Sequence, residues 1–464
     1  MFEKFANIFK IPDLRNRVLF MFGILAVYRL GAFIPTPGVN FHVLEQFFNS
    51  NAGSSLGLVD LFSGGNLRRM TIFALGIMPY ITASIIFQLL TVVYEPLAKL
   101  QKEGEMGRKK ITQWTRYVTV GLGVVQSMAI AIALLHGSSG EQLVLDPGVG
   151  FVLMTVLTLT TGTTLVMWLG EQITERGIGN GMSLLIFAGI VVGLPGGIQD
   201  LIDAAKNQKF GAMTVPALII LVVAMLAVVA FIVFVERSER RIPVQYAKRI
   251  VGRRLMGGQS THLPLRVNSG GVMPIIFAAS VLSFPLLFSH ANFVKNSSIL
   301  NSIAMALSPG EPWYELIYFV AIIFFAYFYI SIVFRPDDIA DNMRKYGGFI
   351  PGIRPGKKTS DFVNDVLTRI TLVGAIYLCI VAIIPQFIIS GVHLNHLPLV
   401  GGIFEHLPMW VTNGLGFNFY FGGTSLLIVV GVAMDTVNQI ESQLIMRHYD
   451  GFSPRSRARG RRAW

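Results

Sequence analysis

The sequence contains few charged residues and a single cysteine. Only 14% of its 464 residues are charged, whereas 53% are hydrophobic, and this balance is too apolar for an ordinary soluble domain of that length. The lone cysteine, Cys379, cannot form an intramolecular disulfide. The shortage of charged residues excludes a typical soluble protein and indicates a membrane protein.

Long apolar runs recur along the whole chain. A helix needs about 20 mostly apolar residues to cross the hydrocarbon core of a bilayer. Ten runs approach this length, near residues 18–35, 72–93, 117–135, 149–169, 182–197, 215–235, 271–289, 316–334, 370–389 and 419–438. The sequence therefore predicts an all-α polytopic membrane protein with ten transmembrane helices.

The basic residues lie mostly on one side of the membrane that these crossings define. All but six of the 38 Lys and Arg residues fall in the N-terminal segment, in alternate loops or in the C-terminal tail. The exceptions are Arg29, Arg68, Arg69, Lys206, Lys209 and Lys295. Because basic loops stay in the cytoplasm, both termini are predicted to be cytoplasmic. The first crossing lacks a small-residue cleavage site and is predicted to remain as an anchor.

Ionisable side chains are rare inside the predicted crossings. Arg29 and Asp435 are the clearest cases, and Glu171 lies at the edge of a crossing. Ion-coupled transporters usually bury carboxylate or His residues along their pathway. A secondary transporter for a small solute would share broken helices with a channel. This chain has almost none of the buried coupling groups that such a transporter requires.

Three groups of residues resemble catalytic or cofactor motifs, and each has a simpler interpretation. The run Gly352–Thr359 has the wrong glycine spacing for a phosphate loop, and the glycines in 177–181 open a membrane helix instead of following a strand. His393, His396 and His406 lie in an external loop without Cys and with little carboxylate nearby. The sequence predicts no enzyme activity, no cofactor and no metal site.

Two long loops are strongly basic. Residues 236–270 carry eight Lys and Arg residues and residues 335–369 carry seven, more than membrane orientation requires. Two interpretations stay open: a solvated face that touches anionic lipid, or docking onto a large anionic partner such as ribosomal RNA or an acidic motor surface. The run Pro454–Arg462 in the tail could touch either lipid headgroups or RNA.

The segment 56–70, between the first two crossings, is too short and too polar to span the membrane. Gly64 and Gly65 interrupt it. Non-helical backbone survives at membrane depth only where protein or water surrounds it. The segment is therefore either a re-entrant element that lines a central cavity or an ordinary external loop.

Several segments resemble one family, SecY, whose members are the central subunit of the protein-conducting translocation channel. The resemblance covers nearly the whole chain, and its motifs occur in the same order and at the same topological positions. They are Phe62–Gly65, Ile72–Tyr80, Gly170–Gly181, Gln259–Leu265, Gly352–Gly356 and Tyr420–Ile428.

The resemblance implies an architecture of two pseudo-symmetric halves of five helices each. Residues 1–197 would form the first half, residues 198–440 the second, and residues 441–464 a basic cytoplasmic tail. Residues 57–70 would form a short re-entrant plug helix. Crossings two and three would face crossings seven and eight across a lateral gate through which hydrophobic helices leave for lipid.

The resemblance also assigns roles to individual residues. The pore ring would consist of Ile77, Ile81, Met182, Ile186, Ile276 and Ile428. The plug would include Asp60, Leu61, Phe62, Ser63, Gly64, Gly65 and Asn66. Thr82 and Gln126 match polar lateral-gate positions, and Arg253, Arg254 and Arg354 lie in loops that meet the ribosome or the SecA motor. Met182 departs from the family pattern, since a branched aliphatic residue is usual there.

The implied function is a protein-conducting channel in the bacterial inner membrane. It would translocate unfolded secretory polypeptides and release transmembrane segments laterally. The expected partners are the SecE and SecG subunits, the SecA ATPase, the ribosome, signal peptides, nascent chains and anionic lipids. The alternative from another class is the small-solute secondary transporter. The external segment 389–418 is longer than in bacterial relatives, and no role is assigned to it.

Overall fold

A computed structural model describes most of the chain. The described residues are 11–40, 43–44, 60, 63–135, 144–206, 214–246, 249–251, 254–256, 261–288, 311–390 and 423–450. The three loop histidines, nearly all of segment 389–418 and the tail beyond Asp450 lie outside these ranges.

The described chain contains ten long helices at the positions of the ten predicted crossings, together with two short helices. In chain order the helices are α1 (Pro12–Gly31), α2 (Met78–Val93), α3 (Glu95–Lys102), α4 (Glu105–Leu135), α5 (Val149–Arg176), α6 (Gly181–Lys206), α7 (Thr214–Arg237), α8 (Met273–Phe288), α9 (Pro312–Val333), α10 (Pro336–Lys345), α11 (Lys357–Ser390) and α12 (Gly423–Asp450). The prediction of a helical polytopic membrane fold is confirmed. The last helix continues to Asp450, into the segment assigned to the basic tail.

Not every one of these helices would be long enough to cross a bilayer alone. Among the described residues, α4, α5, α6, α9 and α11 satisfy length and composition by themselves, and the bent pair α2 and α3 would add a sixth span. The helices α2 and α8 have only 16 residues each. They contact longer neighbours, α4 and α9 respectively.

The start of α2 illustrates how local chemistry sets a boundary. The apolar run begins at residue 72, but the helix begins at Met78. Gly76 adopts a positive φ of 55°, a conformation that a glycine tolerates and that ends a regular right-handed helix. Pro79 lies in the first turn, where its missing N–H costs nothing. Residues 72–77 are therefore turns that lead into the crossing.

The helix α4 shows the inverted polarity of a membrane protein. Its buried positions include Thr115, Thr119 and Gly123, spaced four residues apart, whereas apolar side chains such as Val124 and Met128 are exposed. Small and polar residues let neighbouring helices approach closely, and lipid covers the apolar side chains. The small residues of α4 accordingly face the bundle, and α5 is the neighbour with which α4 makes its most extensive contact.

The basic segment after α7 folds into a small sheet. The described strands are β1 (Glu239–Tyr246), β2 (Arg249–Val251), β3 (Arg254–Met256), β4 (Thr261–Arg266) and β5 (Gly348–Phe349). The strand β1 pairs antiparallel with β4 and with β5, giving the order β4-β1-β5, while β2 and β3 pair with each other. The all-α prediction did not include this sheet, which belongs to a cytoplasmic loop in the predicted topology.

Alternating apolar residues fix the sheet on the membrane bundle. Ile242 and Val244 of β1 are buried while their neighbours are exposed, which is the period of two expected for a half-buried strand. They form one apolar cluster with Val363 and Leu367 of α11. The strands β1 and β4 and the residues between them form a hairpin. The end of the bundle that carries it is the hairpin end.

Candidate functional site

The six residues of the predicted pore ring belong to one apolar core. Ile77, Ile81, Ile186, Ile276 and Ile428 are buried members of a single cluster, and Met182 packs against it while partly exposed. They come from the N-terminus of α2, from α6, from α8 and from α12. The fold therefore brings together side chains that lie up to 351 positions apart in the sequence, from Ile77 to Ile428.

A cavity of about 410 Å³ reaches this cluster. Ile81, Ile186 and Ile276 line its apolar part, together with Met182. Its remaining wall is polar and includes Glu175 at the hairpin end of α5. The cavity therefore has a polar part and an aliphatic part, and the aliphatic part is its floor.

The polar wall of this cavity contains an ion pair that the sequence did not reveal. Arg116 of α4 donates from Nε to Oε1 of Glu171 of α5 at 2.8 Å. The Glu171 side chain is only 14% exposed, so the carboxylate is largely removed from water. The sequence marked Glu171 as an unusual charge at the edge of a crossing, but its partner lies 55 residues away and could not be inferred.

The described part of the predicted plug is buried and internally hydrogen-bonded. Asp60, Ser63 and Asn66 are each at most 4% exposed. The backbone N–H of Arg68 donates to Asp60 Oδ1 at 2.8 Å, and the Ser63 hydroxyl donates to the Asp60 carbonyl at 2.9 Å. Leu61 and Phe62 lie outside the described residues. The described part of the segment is thus compact and buried, unlike an extended surface loop.

The Asp60 carboxyl is held in an environment that disfavours its charge. Burial raises the pKa of Asp60, and hydrogen bonds from the backbone of Arg68 and from the Ser63 hydroxyl act in the opposite direction. Burial is the larger effect, because it removes the water that would solvate the charged form.

Two glycines allow the plug to touch the wall of the bundle. A Cβ added to Gly64 would lie 2.6 Å from the Cα of Gly189 in α6, so the backbones meet without side chains between them. Gly64 also has a φ of +74°. On the opposite side, Asn66 donates from Nδ2 to the Tyr28 hydroxyl of α1 at 3.3 Å.

The plug also reaches the residues just before the ring. A Cβ on Gly76 would lie 3.4 Å from the Cα of Ser63, and Gly76 directly precedes Ile77. The described plug residues therefore lie against α1, α6 and the turn that leads into α2. This placement agrees with the re-entrant interpretation of the segment and not with an ordinary external loop.

The helices α2 and α8, which belong to the predicted lateral gate, are in contact. The Ser280 hydroxyl lies 3.9 Å from Met78 Sδ across these two helices. Thr82 donates to the Met78 carbonyl of its own helix at 3.0 Å. Gln126 of α4 is 2% exposed, and its Oε1 has no hydrogen-bond partner among the described residues. Thr82 thus bonds within its own helix, and the contact across α2 and α8 is the weak hydrogen bond from Ser280 to Met78.

A larger cavity, of about 770 Å³, lies beside the gate helices toward the hairpin end. Tyr80 and Gln88 of α2, Thr115 of α4 and Ile332 of α9 contribute to its wall, as does Asp338 of α10. The space therefore separates α2 and α4 from α9 and α10.

Two of the predicted docking residues, Arg254 and Arg354, belong to the two basic loops, and the sheet that joins these loops is called the platform. Arg354 is exposed in the loop before α11, and its carbonyl accepts a hydrogen bond from the Thr359 hydroxyl at 2.9 Å. Arg254 belongs to β3 at the tip of the hairpin, while Arg253 lies outside the described residues. The pairing of Gln245 with Phe349 joins the two basic loops in one sheet.

The base of the hairpin carries two further polar contacts that the sequence did not predict. Asn268 donates from Nδ2 to Glu236 Oε1 at 2.6 Å, and Arg266 Nη1 lies 3.5 Å from Asp435 Oδ1. Asp435 was marked as a rare charge in a crossing, but 169 residues separate it from Arg266. These contacts connect β4 to α7 and α12.

Solved channel structures resemble this fold at low sequence identity. A protein-conducting channel aligns with a TM-score of 0.61 at 17% identity and covers 94% of each chain. A SecY protein studied for its plug domain aligns with a TM-score of 0.62 at 18% identity, again over 94% of each chain. Sec61 from a canine ribosome-channel complex aligns with a TM-score of 0.59 at 16% identity and the same coverage.

Sequence relatives are much closer. The protein translocase subunits SecY of Streptomyces griseus and of Escherichia coli K12 are each 46% identical over 97% of this chain, covering 100% and 96% of their own lengths. The SecY of Mycobacterium bovis is 47% identical over 97% of this chain and 100% of its own. The family profile of SecY matches residues 71–437. The chain therefore belongs to the SecY family.

Proposed function

We propose that this chain is the channel subunit of a protein translocase. It conducts unfolded secretory polypeptides across the membrane and releases transmembrane segments sideways into lipid. Its family membership and the printed names of its relatives, protein translocase subunit SecY, support this function. The membrane is the bacterial inner membrane, and the basic loops place both termini in the cytoplasm.

The single observation that carries the proposal is the arrangement of cavity, aliphatic cluster and plug. A cavity of about 410 Å³, with polar and aliphatic walls, is lined by Ile81, Ile186 and Ile276, and the plug lies against the turn before Ile77. An apolar constriction resists ions because water is unstable within it. It also offers a passing polypeptide no group that would bind it tightly.

The lateral gate supports the second activity, the release of helices into lipid. The helices α2 and α8 meet with few polar contacts, and the Ser280–Met78 approach of 3.9 Å is a weak one. A seam of this kind separates at a lower cost than one closed by strong hydrogen bonds. Thr82 and Gln126 are proposed to set how easily it opens, because buried polar atoms weaken an apolar seal.

The driving force must come from partners. The SecA ATPase or a translating ribosome would dock on the platform that carries Arg254 and Arg354, where Arg and Lys can contact phosphates or acidic side chains. SecE and SecG are proposed as companion subunits, and anionic lipids contact the basic loops. A structural relative bound to a ribosome, canine Sec61, supports the docking role.

Cross-linking of an arrested polypeptide tests the proposal. A photoreactive residue at Ile81, in the cavity floor, should cross-link a secretory chain that is halted during translocation. The matched control is a photoreactive residue at Leu157, which is 57% exposed on the outside of α5 and should cross-link only lipid. A small-solute transporter would give no polypeptide cross-link at either position, and that result would refute the channel assignment.

A further inference from the structure

A short turn joins the hairpin to α8 and contains a buried asparagine. The strand β4 ends at Arg266 and α8 begins at Met273, so residues 267–272 alone connect them. Asn268 lies in this connecting turn and is 6% exposed. A buried amide side chain is stable only where its polar atoms have partners, and the partners of Asn268 belong to two different helical ends.

The side-chain amide of Asn268 bridges the end of α7 and the start of α8. Its Nδ2 donates to Glu236 Oε1 at 2.6 Å and to the Gly271 carbonyl at 3.1 Å. Glu236 lies in the last turn of α7, and Gly271 lies two residues before α8. A hydrogen bond to a carboxylate is stronger than one between neutral groups. One side chain therefore connects the two helices that flank the hairpin.

The backbone of the connecting turn is also packed closely on its other sides. A Cβ added to Gly374 of α11 would lie 2.6 Å from the Val267 carbonyl oxygen, and one added to Gly431 of α12 would lie 2.4 Å from Val272 Cγ1. The Val267 N–H donates to the carbonyl of Ser238, just before β1, at 3.0 Å. The turn thus lies directly against α11, α12 and the base of the hairpin.

The helix that follows this turn carries both a ring residue and a gate residue. Ile276 belongs to the aliphatic cluster and is 2% exposed. Ser280 makes the weak contact with Met78 across the gate. Both residues lie within the first eight positions of α8. The orientation of the start of α8 therefore affects the ring and the gate together.

We propose that Asn268 is a positioning residue that transmits the docking of a partner on the platform to α8. The inference rests on the proposed channel function and deepens it. The two hydrogen bonds of Asn268 hold the start of α8 against the end of α7, so the base of the hairpin is rigid. A tilt of the hairpin then becomes a tilt of α8. Without these bonds, the connecting turn bends and absorbs the tilt.

The dependence of the translocation rate on SecA concentration tests the proposal, in vesicles that contain this chain with SecE and SecG. Asn268→Ala should lower the maximal rate about tenfold, because two buried hydrogen bonds are lost. The half-saturating SecA concentration should stay within about twofold of the parent's, because the docking residues are intact. The matched control is Asn364→Ala, an exposed asparagine of α11, which should behave like the parent.

Variants of Glu236 test the same contact without truncating the buried asparagine, and they keep the test possible if Asn268→Ala does not assemble. Glu236→Ala removes the acceptor and should lower the maximal rate as Asn268→Ala does. Glu236→Gln keeps a carbonyl oxygen that can accept the bond and should recover most of that loss. The double variant Asn268→Ala, Glu236→Ala should be no slower than the slower single variant, because both changes remove one contact.

Three results would overturn the inference. The first is a parent-like maximal rate in Asn268→Ala, and the second is no difference between Glu236→Gln and Glu236→Ala. The third is a half-saturating SecA concentration that rises as much as the rate falls, because a residue that only keeps the docking surface in shape would have that effect. In each case a parent complex that translocates the precursor leaves the channel function intact. A parent complex that translocates nothing would refute both proposals.

Discussion

At the residue scale, the seat of the plug depends on close backbone contact between Gly64 and Gly189. The added Cβ of Gly64 would lie 2.6 Å from a backbone atom of Gly189, and a backbone cannot rotate aside as a side chain can. Gly64 also requires a positive φ of 74°. Sequence inspection identified Gly64 within a plug motif but gave no indication of Gly189 as its neighbour.

Replacing Gly64 with alanine should unseat the plug and raise ion leakage through the resting channel. Gly104 provides the control, since its φ is +80° but a Cβ there would meet no described atom within 4 Å. Both variants carry the conformational cost of about 1–2 kcal/mol for a side chain at positive φ, and only Gly64→Ala adds the clash. Conductance in planar bilayers measures the difference. Equal leakage in the two variants would contradict the proposed seat.

Asp60 should make plug closure depend on pH. Burial raises the pKa of its carboxyl above the ordinary value, so the seated plug binds a proton more readily than a displaced one. The seated state is therefore favoured as pH falls through the raised pKa and loses this contribution as pH rises above it.

The measurement is ion leakage across the acid range above about pH 4. The parent should leak less as the pH falls, and Asp60→Asn should show no such dependence, because an amide oxygen still accepts the Arg68 N–H without titrating. A variant that keeps the parent's full pH profile would exclude Asp60 as the titrating group.

At the scale of elements, α2 and α8 supply two of the aliphatic side chains that form the cavity floor. Ile81 and Ile276 are 7% and 2% exposed. Changing both to serine should let water enter the constriction and raise ion conductance by at least several-fold. The matched control replaces Val124 and Val125 of α4 with serine. These side chains are 39% and 42% exposed, so this control should leave the conductance unchanged. Parent-like conductance in the Ile81, Ile276 variant would argue against a ring at these positions.

The lateral-gate seam beside α4 should close more tightly when the buried side-chain oxygen of Gln126 is removed. Gln126→Leu eliminates a buried carbonyl oxygen that has no described hydrogen-bond partner. Burying such a group costs about 1–3 kcal/mol of stability, and the substitution removes that cost. Thermal unfolding should shift upward, and precursors with weakly hydrophobic signal peptides should be translocated less well. Gln113→Leu is the control, since Gln113 is exposed on the same helix and bonds Tyr117. A destabilised Gln126→Leu complex would show that the amide is required.

The helices could be predicted from the sequence, and the sheet could not. Apolar runs of membrane length determine α4, α5 and α9 almost by themselves, because lipid imposes the same requirement on every crossing. Ile242 and Val244 of β1 are buried only because Val363 and Leu367, more than a hundred residues later, cover them. Short strands depend on such distant partners, and so do the ion pairs of Glu171 and Asp435.

The candidate site could be predicted only from the resemblance to the SecY family. Its residues by themselves look like ordinary packing positions. Five aliphatic side chains and one methionine in helices carry no chemical signal of their own. The structure places all six in one cluster and places a cavity against four of them, Ile81, Met182, Ile186 and Ile276. The roles of Thr82, Gln126, Arg254 and Arg354 stay predictions.

At the scale of the whole molecule, the hairpin platform is connected to the helices that hold the pore. Arg266 at the end of β4 lies 3.5 Å from Asp435 on α12, seven residues after Ile428 on the same helix. Asn268 bonds both Glu236 and the Gly271 carbonyl, two residues before α8 begins. An exposed ion pair contributes little stability by itself. A partner that docks on this platform, as proposed, would therefore have a direct connection to α8 and α12.

We propose that a partner docked on this platform drives a polypeptide through the pore. Protease protection of a signal-bearing precursor tests this claim directly, in vesicles that contain this chain with SecE and SecG. Protection should require SecA and ATP, and it should disappear in an assembled complex that carries Arg354→Glu. Failure of the correctly assembled parent complex to protect any precursor would contradict the claim and favour a small-solute transporter.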